Sequence, residues 1–192
     1  MADFLVLDGA AVCEVKQIEA VNFPARVQKL IGKQPENFKR DAYNTINNAL
    51  SKANDQIEET KETLGLANAV GIVVLDHRIP KDSSVLSVID AADRKMRAGL
   101  AAVHAVLCLD VLNVFNDQGG NPVHICQCLH RDTPESKTAA QICDQIFDDY
   151  LTIIGHPKKD ISISSPHHKW IFDNEERFIR YEAGFTSETP KD

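Results

Sequence analysis

This chain of 192 residues contains no run of 18 apolar residues, which excludes a membrane-spanning helix and, with it, a membrane partner. It also lacks a basic segment leading into an apolar run at its start, and Asp3 comes too early for a secretory leader, so a cytoplasmic location is expected. No internal repeat, P-loop, GxGxxG fingerprint, GxSxG elbow or HExxH pair occurs, and Gly119-Gly120 runs into Asn121-Pro122, which is a turn and no phosphate cradle. The common nucleotide-binding and serine-hydrolase readings fall away. The five cysteines are odd in number, scattered singly and in one C-x-C, a usage of reduced thiols and not of a disulfide scaffold. Net positive charge is missing too. At −7 the chain has no broad basic surface, so nucleic acid is expected to bind only where Lys and Arg gather locally.

What is present is enough apolar material, 43% of the residues, for a sizeable core in one domain with an extension. The most informative stretch is the first. Phe4 to Leu7 and Ala10 to Val15 read as strands with Asp8-Gly9 between them. Asp-Gly between apolar runs is the strongest short-range hairpin signal, because a type I′ turn needs positive φ at both central positions. Counting outward pairs Val6 with Ala11, Leu5 with Val12, Phe4 with Cys13 and Asp3 with Glu14. Residues opposed across a ladder share a face, as do residues two apart on a strand. Asp3, Glu14 and Lys16 are therefore expected on one face, with two carboxylates opposed.

Opposed carboxylates repel unless something answers them. Mg²⁺ wants oxygen ligands, commonly takes only one or two carboxylates, and completes its shell with water and substrate phosphate. The Val15 carbonyl is a further candidate ligand, and Lys16 is placed to orient or deprotonate an attacking water or to meet charge on a phosphate. Asp3, an intervening hairpin and then Glu14-Val15-Lys16 resembles the core motif of the PD-(D/E)xK nuclease superfamily, over roughly residues 2 to 76, with Ala2 where the family often has proline. The resemblance implies that Asp3 and Glu14 are metal ligands and Lys16 the catalytic lysine. It also implies Mg²⁺- or Mn²⁺-dependent hydrolysis of phosphodiester bonds in DNA, on a restriction-endonuclease-like mixed sheet flanked by helices. The triplet alone is unspecific: Glu59-Thr60-Lys61 and Glu135-Ser136-Lys137 match it as well, but in helical patterns where the geometry is wrong. The family fold usually places a helix and a strand before the aspartate. Here Asp3 is the third residue, so a metal site there is expected to need support from the sheet or from a partner subunit.

Phe23-Pro24 is expected to open a short helix ending at Gly32. Around it Arg26, Lys29, Lys33, Lys39 and Arg40 form the densest basic region, and they are the candidate phosphate contacts beside the metal. Apolar spacing near 3.6 predicts a long helix from Asn37 to about Leu64, with Gly65 as its C-cap. Tyr43, Asn47, Lys52 and Gln56 are candidates for the polar residue that the family's helix often lends the site. Residues 68 to 78 read as a buried central strand, Ser83 or Ser84 opens a helix to about Leu100, and a further strand is centred on His104 to Val111. Hairpin, helix, strand, helix, strand makes residues 1–116 an α/β core.

Residues 117–187 are expected to extend the same sheet as an α+β part, with a helix capped by Thr133 running to about Tyr150, late strands, and a frayed tail at 188–192. Asp76-His77 at a strand end is tempting as a metal pair, though more simply a loop start. His124, Cys126, Cys128 and His130 alternate onto one face, but ligands two apart stand roughly 7 Å from each other, too far for all four to reach one tetrahedral zinc. Buried thiols flanked by ordinary histidines is the reading adopted. Two functions stay open. One is the nuclease, with DNA as partner. The other is a non-enzymatic acidic interaction protein, or a catalytically inactive nuclease-fold relative, that binds a basic protein face or a second copy of itself.

Overall fold

The computed structural model describes residues 1–19, 35–79, 85–116, 122–153, 168–173 and 176–185; within these, only the backbone is described for 35–43, 86–87, 111, 114–116, 122–125, 151 and 168–185. The short helix expected after Phe23, and Arg26, Lys29 and Lys33 with it, lie outside the described residues, as do the strand-like 161–165 and the tail. Strands β1 (Phe4–Val6), β2 (Ala11–Glu19), β3 (Val70–Arg78), β4 (Ala105–Asn116), β5 (Pro122–Arg131), β6 (His168–Asp173) and β7 (Glu176–Phe185) form one sheet in the order β1-β2-β3-β4-β5-β7-β6. The sheet is mixed. β2, β3 and β4 run parallel, β1 is antiparallel to β2, β5 to β4 and β6 to β7, and β5 runs parallel to β7.

Three helices cover it: α1 (Pro35–Leu64), α2 (Val85–Ala98) and α3 (Pro134–Ile153). α1 and α2 connect parallel strands that advance in one direction along the sheet. Right-handed crossovers therefore place both on one face. β5 runs opposite to β4, and the same handedness then places α3, which leads towards β7, on the other face. Each face has its own core. Val12, Ile18, Val73, Leu75, Val106 and Leu129 meet Ile46, Leu50, Ala53 and Ile57 of α1 and Val88, Ala92 and Met96 of α2. Cys13, Ile72, Val74, Leu107, Leu109, Cys126 and Cys128 meet Ala139, Ile142, Cys143 and Phe147 of α3. Burial from both sides explains why β3 is a continuous apolar run.

Local chemistry sets the element ends. Gly65 closes α1 at φ +67°, with Leu66 N donating to Lys61 O at 2.8 Å and Gly65 N to Glu62 O at 3.3 Å, the paired bonds of a Schellman cap. Thr133 caps α3, its Oγ1 accepting from Ser136 N at 3.2 Å. Arg131 closes α2 from outside, donating to the carbonyls of Met96 and Leu100, which answers part of the helix's orphan acceptors. Among the described residues no helix is long and apolar enough to cross a membrane.

Candidate metal and phosphate site

The hairpin forms in the register that its turn dictates: Phe4 opposes Cys13, Leu5 opposes Val12 and Val6 opposes Ala11. Asp8 and Gly9 occupy the turn at φ +52° and +87°, and Ala10 N donates to Leu7 O at 3.0 Å. Leu7 also lies at φ +51°, so three successive residues are left-handed, and only Gly9 is free of the Cβ penalty.

Beyond Phe4 the ladder continues through side chains. Asp3 N donates to Glu14 Oε2 at 3.1 Å, and Val15 N donates to Asp3 Oδ2 at 2.9 Å. Each carboxylate thus clasps the amide of the facing strand. Lys16 Nζ donates to Glu14 Oε1 and, at 2.8 Å, to Gln56 Oε1 of α1. The repulsion expected between Asp3 and Glu14 is answered here by two backbone N–H groups and one ammonium. Glu14 is 1% exposed, so these partners stand where water would otherwise bond its oxygens. The negative field is felt one residue away. Burial first, then the charges of Asp3 and Glu14, push the Cys13 thiol up to about 12.

The donor set fits a hard divalent cation. Neither clasp uses Asp3 Oδ1. Because the N–H and C=O of a strand residue point to the same side, the Val15 carbonyl lies on the β1 side of β2, where its amide meets the Asp3 carboxylate. Two carboxylates and one carbonyl are a usual protein contribution to Mg²⁺, water and phosphate supplying the remainder. Among the described residues no group of three or more His, Cys, Asp or Glu side chains is arranged to hold a metal.

Of the four polar candidates on α1, only Gln56 is seen to reach Lys16. Lys52, one turn earlier, is exposed. Asn47 lies nine residues before Gln56, which is half a turn around the axis and about 13 Å along it. It flanks the buried stripe of Ile46, Leu50, Ala53 and Ile57 from the opposite side. The side chain of Tyr43 is outside the described set. Lys39 and Arg40 lie in the first turns of α1, about 25 Å of helical rise from Gln56, and their side chains too are outside the described set.

Asp76 and His77 are structural, as the simpler reading had it, but they lie within β3 and not in a loop start. Strand alternation sends the two side chains to opposite faces. Asp76 takes Arg78 at 2.6 Å, while His77 Nδ1 lies 3.0 Å from Asp110 Oδ2, both fully buried. Asp110 also accepts from Leu112 N, Asn113 N and Asn113 Nδ2, and Asn113 Nδ2 reaches Ile79 O at 2.8 Å. This network braces the irregularity in β4 between Asp110 and Phe115. A groove of about 590 Å³, walled by Phe4, Val6, Val15, Val74, Leu109 and Ile146, lies on the α3 face, across the sheet from Glu14 and Lys16.

Sequence reasoning missed Thr60. The Glu59-Thr60-Lys61 triplet is helical and is no metal motif, yet its middle residue touches the segment that carries Asp3: Ala2 N donates to Thr60 Oγ1 at 2.6 Å. Gln56 Nε2 adds a bond to Met1 O at 3.3 Å. A hydroxyl at i+4 from Gln56 was the available signal, but only the docking of α1 against Met1 and Ala2, ahead of β1, gives it meaning. Comparison with family models, with curated proteins and with solved structures returns no match for this chain.

Proposed function

We propose that this protein is a divalent-metal-dependent nuclease that hydrolyses phosphodiester bonds in DNA, on a restriction-endonuclease-like version of its mixed sheet. One observation carries the reading: Asp3 and Glu14 clasp each other's strands with Lys16 bonded to Glu14, so two carboxylates, the Val15 carbonyl side and an ammonium converge at the end of one hairpin. Asp3, Glu14 and the Val15 carbonyl would hold Mg²⁺ or Mn²⁺. Bound there, the ion supplies Lewis-acid polarisation of a phosphoryl oxygen and a more acidic water. Lys16 offers a donor to a non-bridging phosphate oxygen or to the attacking water, and Gln56 holds its ammonium in place. Glu14, buried on its strand, pairs with that ammonium. In hydrolysis the water oxygen forms the new P–O bond, a bridging P–O bond breaks, and the departing oxygen takes up a proton.

The test is cleavage of labelled single- and double-stranded DNA with Mg²⁺ and with Mn²⁺, beside calorimetric Mn²⁺ titration. Glu14→Gln preserves shape and removes the ligand charge; it is expected to abolish cleavage and weaken Mn²⁺ binding at least tenfold in a folded protein. Lys16→Ala is expected to cut the rate by about 10²- to 10⁴-fold, the usual worth of a positioned proton-transfer or charge-stabilising group, while changing metal affinity far less. A wild-type protein that binds no Mn²⁺ and cleaves neither substrate overturns the proposal.

A further inference from the structure

β1 is three residues long and lies at the sheet edge, and Asp3 precedes it. Such a segment frays unless it is tied down. The ladder holds it on one side only. α1 holds it from the sheet face: the exposed Met1 ammonium meets Glu59 Oε2 at 3.2 Å, Met1 O accepts from Gln56 Nε2 at 3.3 Å, and Thr60 is the buried contact, on Ala2. Thr60 is 3% exposed. Its Oγ1 lies 2.8 Å from Gln56 O one turn back, where the hydroxyl proton is donated. With the proton committed, the oxygen presents lone pairs, and Ala2 N fills one at 2.6 Å. The next amide, Asp3 N, goes to Glu14, and the Asp3 carboxylate goes to Val15 N. From Thr60 to Val15 the bonds run unbroken through two residues of backbone.

We propose that Thr60 is a positioning residue for the Asp3–Glu14 site: it seats Ala2 so that the Asp3 carboxylate stays clasped to the Val15 amide. The role rests on the metal reading only for its consequence, since the seating of Asp3 is measurable without metal. Thr60→Val keeps the volume and removes the acceptor, leaving the part-buried Ala2 amide without its partner, a loss that favours detachment of the segment into water. Thr60→Ser keeps the acceptor. The fold itself has little stake in the bond, because the buried stripe of α1 is made by Ile46, Leu50, Ala53 and Ile57.

Amide hydrogen exchange of full-length protein, followed by NMR at Val15, reads the clasp directly. Thr60→Val is expected to speed Val15 exchange about tenfold relative to wild type, with Ile72 and Val73 of β3 unchanged; Thr60→Ser is expected to match wild type. Mn²⁺ titration of the same three proteins reads the consequence. Thr60→Val is expected to lose about tenfold in affinity, the lower end for an outer-shell partner, and Thr60→Ser to retain it. Unchanged Val15 exchange in folded Thr60→Val overturns the positioning role whatever wild type does with Mn²⁺. Faster exchange in Thr60→Val, with no Mn²⁺ bound by wild type, upholds the seating of Asp3 and overturns the metal reading alone. If Thr60→Val fails to fold, Thr60→Ala takes its place with the same two readouts, and misfolding of both overturns the claim that the bond is local.

Discussion

His104 stands where β4 begins and holds two strands together through its own backbone and ring. Its amide donates to Gly71 O, and its Nδ1 accepts from Gly71 N, both at 2.8 Å. Gly71 must be glycine here, because a Cβ would lie 1.9 Å from Ala102 O. A ring nitrogen that accepts an N–H must be unprotonated, so the bond favours neutral imidazole. Burial first, then the Lys61 and Arg131 charges, hold the His104 pKa below its ordinary value, with Glu135 opposing. The folded state therefore binds a proton less readily than the unfolded chain. Stability from this group is fully present above the unfolded value of about 6.5 and is lost as pH falls below it. His104→Asn, whose Oδ1 can accept from Gly71, is expected to be less sensitive to that fall. Urea midpoints at pH 7.5 and 5.5 check it: wild type should lose more of its midpoint than the variant. An equal loss in both would place the acid sensitivity elsewhere.

The hairpin shows how far an element can be specified by two residues. Neither strand has an alternation strong enough to choose its face, so the register depends on the Asp8-Gly9 turn. Gly9 at φ +87° packs its open side against Leu66, where a Cβ would approach Leu66 Cδ2 to 3.3 Å. Gly9→Val adds a β-branched side chain in that conformation, at about 1–3 kcal/mol. Because the turn sets which residue faces Glu14, Gly9→Val is expected to lower Mn²⁺ affinity although residue 9 lies at the far end of the hairpin from Asp3. Isothermal titration alongside circular dichroism decides it; unchanged affinity in a folded variant would mean that Asp3 and Glu14 do not share an ion. α1 was equally legible as an element, since its apolar spacing, its end at Leu64 and its Gly65 cap are all local features. Its role at the site was not. The four polar candidates flank the apolar stripe on both of its sides, and the rotation of the helix on the sheet selected Gln56, with Thr60 one turn on.

At the scale of the whole molecule the charge of −7 works against any polyanion, so the proposed DNA substrate would have to be drawn by a few local cations. Each phosphate neutralised contributes about −0.9 to the slope of log affinity against log salt. If Lys16 acts with Arg26, Lys29, Lys33, Lys39 and Arg40, the slope is expected at about −5.4, a loss of about 2,000-fold between 50 and 200 mM KCl. Neutralising Arg26, Lys29 and Lys33 together to Gln should flatten it by about 3. Fluorescence anisotropy of a labelled duplex across that range measures both. A slope that the triple variant leaves unchanged would remove residues 26–33 from the interface. The sheet itself continues beyond β4 through β5, β7 and β6, so the acid-and-lysine hairpin and the C-terminal strands sit at opposite edges of one layer.

By itself the sequence determined what short-range chemistry controls: the type I′ turn and hence the pairing of β1 with β2, the spans of the three helices to within a few residues, the Gly65 and Thr133 caps, and the burial of β3 on both faces. Those features depend on φ preferences, capping oxygens and apolar period within one turn or one strand. Tertiary structure decided what depends on rotation and register between distant elements. It joined His77 to Asp110 across thirty-three residues while the neighbouring Asp76 turned to the other face. It left Asn47 on the wrong side of α1 and brought Gln56 to Lys16. It also set Thr60, fifty-eight residues from Ala2, under the backbone that carries Asp3. No local signal marks such pairs, because each partner is satisfied only when a helix settles at one angle on the sheet and burial removes water as the alternative acceptor.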